Sequence, residues 1–420
     1  MSVDTLPQHP GSTTVRPQGL GRRQVHAVAA CYFVASFAAL GLPPYLTAIL
    51  PALGDPQGRW AGVLYIVPTV FSALGAPLWG RLADRYGRKR LLLRAQLGLT
   101  VSFLLAGAAD SLPAFTLALV LQGFLGGTFA ATNGYLAAAL DGSKLSLALT
   151  LMQGSARAAL VAAPILVGAL SPWIDPHRQY LLMAVLPLTA AVFLSLLPEP
   201  TRPAGSGDED AGTDPDTRGG DATAPAVGAA RPAPIGLLYT FEFAFVFATI
   251  ISFPYLISLA QERLPGVSGT TTGILFALPH LCYLAFAART HAAFLTRPHT
   301  GIALGFGFVA LGLAGHAVAH SLAAFVAVRL LLGAGLTLGL VCLSVLAAEA
   351  ARGRAPGRMF GTLEFISKGG AVAAGAVAAL ANGRFGAAAP VLVGTAAALL
   401  AAAAATALVF PSRMRWSSRR

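Results

Sequence analysis

Five charged side chains stand inside long apolar stretches of this sequence: Arg157, Glu242, Arg329, Glu364 and Lys368. On insertion scales each costs about 2.5–3.5 kcal/mol at the centre of a bilayer. Unpaired and facing lipid, the five together would cancel the stability of an ordinary domain. They must therefore pair or line a water-filled cavity. Carboxyls in such a cavity can exchange protons, and cations there can hold anions. Glu242 has no adjacent cation in sequence, so it is the first candidate for proton coupling, with Glu364 the second. Arg157 and Lys368 each follow a polar residue by four positions, Gln153 and Glu364, and share a helix face with it. Two facing cations suit an anionic substrate. The competing assignment is internal pairing, Glu364 with Lys368 and Arg157 with Glu242. Arg329, Tyr32, Gln122 and Asn133 complete the candidate binding set. No second ligand stands at metal spacing from His280 or His316, so neither a metal nor another cofactor is expected.

The elements that position these groups are read from composition. The chain has 420 residues, 55% of them hydrophobic and 11% charged, with a mean hydropathy of +0.68. Soluble domains carry about 25% charge. The difference excludes an ordinary soluble enzyme, a disordered protein and a nucleic-acid-binding domain, despite a net charge of +12. Cys31, Cys282 and Cys342 fall inside apolar runs and form no disulfide or zinc pattern. Twelve apolar runs lie near 25–49, 60–80, 91–109, 113–139, 145–170, 179–197, 235–258, 270–288, 300–319, 321–346, 357–381 and 387–410. At about 20 residues per span, this predicts an all-α membrane protein of twelve transmembrane helices in two pseudo-symmetric six-helix bundles.

The expected organisation is a cytoplasmic tail over 1–24, one bundle over 25–197, a linker over 198–234, a second bundle over 235–410 and a basic tail over 411–420. The linker holds seven acids, Glu199 and six between Asp208 and Asp221, and almost no large apolar residue, so it cannot bury a core. With the N-terminus inside, the inner loops and tails carry 21 Lys and Arg and the outer loops four. That bias places both termini in the cytoplasm. The first helix reads as an uncleaved span. The two sets of runs also match each other. Pro44-Tyr45-Leu46 recurs as Pro254-Tyr255-Leu256, Gly62 to Pro68 as Gly273 to Pro279, and Arg157 as Lys368, at a nearly constant offset. Two six-helix halves of common origin, with a site near the midplane where they meet, account for that constancy.

The stretch after the second run reads Gly80-Arg81-Leu82-Ala83-Asp84-Arg85-Tyr86-Gly87-Arg88-Lys89-Arg90. It resembles the signature loop of the major facilitator superfamily, and the topology, linker and duplication fit that family along the whole chain. The resemblance implies a gate in which the acid, here Asp84, engages the opposite half, with Gly80, Arg85, Gly87 and Arg88 shaping the loop. The second copy near 289–299 has Leu295 where Asp84 would fall. The fifth run holds Gly154 and Ala163-Pro164-Ile165-Leu166-Val167-Gly168, which looks like the element marking the family's proton-coupled antiporters, with Ala163 and Val167 replacing two glycines. The fourth run is similar to the family's Arg-x-x-Gln-Gly element, with Leu119 in place of the arginine; Arg329 holds the matching position in the second half.

The implied mechanism is alternating access around a central site. The expected function is secondary transport, namely proton-coupled export of a small anion. The segments 75–94, 122–135 and 151–160 are similar to exporters associated with carboxylate-type siderophores. The alternatives are multidrug efflux of cationic or neutral lipophilic compounds, which would require an acid-lined pocket, and a non-transporting membrane sensor. No Gly-x4-Gly-Lys-Ser/Thr occurs, so no ATP site is expected and the chain is not read as an enzyme. The expected partners are the small-molecule substrate, protons and the lipid bilayer, with no nucleic acid. A monomer in the bacterial inner membrane is expected.

Overall fold

The computed structural model describes residues 21–126, 132, 136, 142–196, 235–351 and 356–409. Residues 1–20 of the N-terminal tail, the linker, the C-terminal tail and Asn133 lie outside the described residues, and α1 starts within the expected tail, at Arg22. The chain forms α1 (Arg22–Leu53), α2 (Ala61–Tyr86), α3 (Arg88–Ala108), α4 (Leu112–Leu125), α5 (Gly142–Leu170), α6 (Gln179–Ser195), α7 (Ile235–Arg263), α8 (Gly269–Phe294), α9 (Pro298–Val318), α10 (Leu322–Ala351), α11 (Pro356–Phe385) and α12 (Ala389–Val409). Among the described residues, nine of these are long and apolar enough to cross a membrane. Shorter apolar helices in α2, α4 and α6 bring the number to twelve. The protein is a multi-pass, all-helical membrane protein. Only helices satisfy every backbone group within one segment in hydrocarbon. The outer faces present Leu105, Phe193 and Leu400 without cover, as lipid contact requires.

Two sequence signals set the breaks. α1 and α7 each interrupt at the repeated proline, in one-turn 3-10 segments Pro43–Tyr45 and Phe253–Tyr255, and then resume as helix. Proline has no N–H to continue the ladder. The stretch expected as a loop after the second run is instead helical to Tyr86, and only Gly87 leaves the helix, at φ 94° and ψ 144°. A residue without Cβ tolerates that conformation. The turn at Gly87 lies at the loop end of the bundle, opposite the distal end.

The halves close on each other at the distal end through two seams, α2 on α11 and α5 on α8. A Cβ built on Gly62 would lie 2.6 Å from the Gly375 carbonyl and 2.9 Å from Ala379 Cβ. One built on Gly273 would collide with the Pro164 carbonyl. Gly62 and Gly273 are repeat mates, as are Pro164 and Gly375, so the two seams are the same contact made twice. Overpacking typically costs about 1–3 kcal/mol, or roughly 5- to 150-fold in a closed-to-open ratio. Gly273→Val is therefore expected to keep its fold and melting temperature within a few degrees while transport falls about tenfold or more. Paired flux and thermal-unfolding measurements check this; unchanged flux would mean that the seam does not need to close.

Candidate functional site

A cavity of about 700 Å³ lies between the halves on the loop side of the seams. Its walls come from α1, α2, α4, α7 and α11, with Leu99 from α3, Leu160 from α5 and Phe276 from α8. Pro43, Pro44 and Phe253, at the breaks in α1 and α7, reach its distal side. Among the described residues, the distal seams close the halves on one side of this cavity.

Among the described residues, three charged ones line this space: Glu242 on α7, and Glu364 and Lys368 on α11. Lys368 Nζ stands 3.6 Å from Glu364 Oε1, one helical turn apart. The Lys368 side chain is 33% exposed and that of Glu364 68%, so the pair remains open to a ligand. Glu242 is half-buried, within hydrogen-bonding reach of the Ser367 hydroxyl and close enough to Glu364 to feel its charge. Paired, Lys368 and Glu364 cancel, and with Glu242 ionised the wall carries one net negative charge. Gln122 also lines the cavity, and its side-chain oxygen has no partner among the described residues.

Other candidates stand elsewhere. Arg329 does not face the cavity. It is fully buried, and it donates from Nε to the Leu275 carbonyl and from Nη2 to the Phe276 carbonyl, both at 2.7 Å. The cause lies in α8: Pro279 has no N–H, so the Leu275 carbonyl four residues earlier has no helical donor. Arg329 supplies it from α10. Arg157 is not on the wall either; its guanidinium sits 5.5 Å from the Tyr283 ring of α8. The expected facing of Arg157 and Lys368 as equivalent cavity cations does not hold, for a reason visible in the repeat. The mate of Tyr283 is Ser72, which lines the cavity and is too short to cover a cation. Lys368 thus lines the cavity, while Arg157, equally half-buried, lies beside the Tyr283 ring. Tyr32 is buried within electrostatic reach of both Arg157 and Glu364. Gln153 is exposed and does not line the cavity.

An aromatic group forms part of the wall that the charge-led reading of the sequence missed. Phe253 packs edge-on against Phe276 at 5.0 Å and against Tyr65 at 6.4 Å between ring centroids, and all three line the cavity. The signal was present: Tyr65 and Phe276 are repeat mates within the duplicated Gly-to-Pro stretch. Aromatic faces attract cations and pack flat apolar molecules. His280 lies behind this group, 1% exposed, between Phe253 and Phe276.

At the loop end, Arg85 is exposed beside Tyr86, and Gly87 makes the turn. The Asp84 and Arg88 side chains, and the surroundings of Gly80, lie outside what the structure describes. Arg94 braces this end: its guanidinium lies 3.5 Å from the Trp79 ring centre, and Nη2 donates to the Gly126 carbonyl at 3.1 Å, where α4 stops. Trp79 Nε1 donates to the neighbouring Phe124 carbonyl at 2.6 Å.

The family model described as Major Facilitator Superfamily matches residues 28–288. A multidrug resistance protein MdtG of Citrobacter koseri is 36% identical over 156 residues, which are 36% of this chain and 37% of that relative. The MdtG of Dickeya zeae is 32% identical over 161 residues, 37% of this chain and 39% of the relative. The chain thus spans a little over a third of the length of the curated relatives it matches. Among solved structures, a POT family transporter in complex with a thioalcohol-conjugated peptide superposes with a TM-score of 0.69 at 12% identity, covering 93% of this chain and 96% of its own. Another, in complex with 5-aminolevulinic acid, gives 0.70 at 12% identity over 92% of this chain and 96% of its own. These likenesses show the fold.

Proposed function

Since the chain belongs to the Major Facilitator Superfamily, and is accordingly a membrane transporter of small molecules, we propose that it exports cationic or neutral lipophilic compounds in exchange for protons. The observation that carries this reading is the charge of the cavity wall. Glu242 is the acid without a cation beside it, Lys368 is taken up by Glu364, and Tyr65, Phe253 and Phe276 supply an aromatic surface. A lipophilic cation finds there both an apolar contact and a counter-charge, as the acid-lined alternative requires. The names of the curated relatives agree with it. The siderophore reading gives way because it needs two free cations, and Arg157 lies off the wall.

Glu242 would carry the proton, since a single carboxyl cannot hold both a proton and a cation's charge. Coupling follows from that exclusion. Both termini would lie in the cytoplasm of a bacterial cell, with the loop end inward, so that the cavity in this state receives substrate from inside.

One specific observation keeps the anion reading testable: Lys368 does line the cavity. Thermal-shift binding on purified protein separates the two. Lipophilic cations are expected to stabilise the protein and citrate-type polycarboxylates to have no effect. A ligand at 100 times its dissociation constant adds about 2.7 kcal/mol. Stabilisation by polyanions alone, lost in Lys368→Ala, would overturn the proposal.

A further inference from the structure

We propose that Tyr45 and Tyr255 are paired positioning residues for alternating access, latching the halves together at the distal end, and that Tyr255 is the stronger latch. They are repeat mates, each on the turn that follows a broken helix, and each is 2% exposed. The Tyr255 hydroxyl accepts from the Gly62 N–H at 3.1 Å and donates to the Arg59 carbonyl at 3.2 Å. Both partners belong to the other half.

Gly62 is the second residue of α2, so its N–H is one of the donors that the start of a helix leaves without an internal partner. Trp60 N–H, just before it, is taken by Asp55 Oδ2 at 3.0 Å within the same half. The start of α2 is therefore capped partly by its own half and partly across the divide. The cross-half cap exists only while the distal end is closed. Tyr45 behaves differently. Its hydroxyl donates to Pro164 O at 2.6 Å, in its own half, and reaches Gly269 O across the divide only at 3.4 Å. One O–H serves one good acceptor, so the crossing contact of Tyr45 is the weaker.

Elsewhere the two halves meet through close packing, as of Ile66 on Gly375 and Tyr65 on Phe253, which is not directional. The hydroxyls add polar bonds that are made on closing and surrendered on opening. The donor at the start of α2 can then turn to water, so the latch is reversible. This inference does not rest on the substrate reading; it concerns only the balance between the two ends.

The test uses full-length protein in lipid nanodiscs, with Cys31, Cys282 and Cys342 replaced by alanine. Spin-label pairs are placed at exposed sites on opposite halves: Gln57 with Gln261 distally, and Arg90 with Ala292 at the loop end. Tyr255→Phe keeps the ring and removes the hydroxyl. It is expected to shift the closed-to-open ratio of the distal end by about tenfold, equivalent to about 1.4 kcal/mol. In the same fraction of molecules the distal pair should lengthen and the loop-end pair shorten. Tyr45→Phe should shift the ratio by less than about threefold. A loss of packing alone would spread the distal distances and leave the loop-end pair unmoved, and that result would overturn the proposal. So would an absence of change in Tyr255→Phe, or an equal shift in the two variants. If Tyr255→Phe does not fold, a shift above threefold in Tyr45→Phe alone overturns the order proposed.

Discussion

Glu242→Gln is expected to abolish efflux driven by a pH gradient while leaving energy-independent exchange of substrate across the membrane measurable. Glutamine fills the same space and can still accept from Ser367, so the wall keeps its shape. What disappears is the one cavity carboxylate, among the described residues, that no salt bridge offsets. A hydrogen bond to a charged group contributes about 1.5–3 kcal/mol, so a lipophilic cation should bind about 10- to 150-fold more weakly. A neutral substrate should lose coupling but little affinity, which separates the binding role from the proton role. Glu364→Gln is expected to weaken cation binding less, because Lys368 already neutralises Glu364 at 3.6 Å. The measurement is dye flux in proteoliposomes with and without an imposed pH gradient, paired with equilibrium binding. Full pH-gradient-driven efflux in Glu242→Gln would move the proton to another group.

Arg329→Ala is expected to unfold the second half more readily, reaching the cavity only through Phe276, whose carbonyl Arg329 holds. Two buried, charge-assisted bonds are lost, at about 1.5–3 kcal/mol each, for a total of about 3–6 kcal/mol. Alanine also leaves the Leu275 carbonyl without a donor in apolar surroundings. Arg329→Lys should recover less than half of the loss, because an ammonium group cannot present the planar fork that reaches two carbonyls at once. Unfolding in detergent gives the stability, and ligand binding on the surviving folded fraction gives the control. A variant with normal stability and altered substrate affinity would return Arg329 to the cavity.

These two residues show what could be read from the chain and what could not. Glu242 was recognisable because a lone acid in an apolar run has few uses, and no neighbour in sequence could neutralise it. Arg329 was equally recognisable as a charge that needed a partner, but its partner could not be named. Of the two acceptors it serves, the Leu275 carbonyl is freed by Pro279, fifty residues earlier and on another helix, and only packing of α8 on α10 brings both within 2.7 Å. Arg157 and Lys368 are equivalent by repeat and differ in role. The difference is written in a second pair of mates, Tyr283 and Ser72, whose importance is invisible until α8 and α2 are seen beside them.

The sequence by itself determined the twelve spans, the two-half architecture and the family. Each follows from local quantities: apolar length against bilayer thickness, the constant repeat offset, and the Gly80 to Arg90 signature. Helix breaks at Pro44 and Pro254 and the turn at Gly87 were local too, since missing N–H or Cβ groups act where they stand. Tertiary structure alone decided which charges face the cavity, and therefore its sign. A side chain on a buried helix can turn to a cavity or to a neighbouring helix, and the choice depends on which unpaired carbonyl, ring or carboxylate that neighbour offers. Such an offer comes from residues distant in sequence, so the cavity's net charge is a property of the assembled halves.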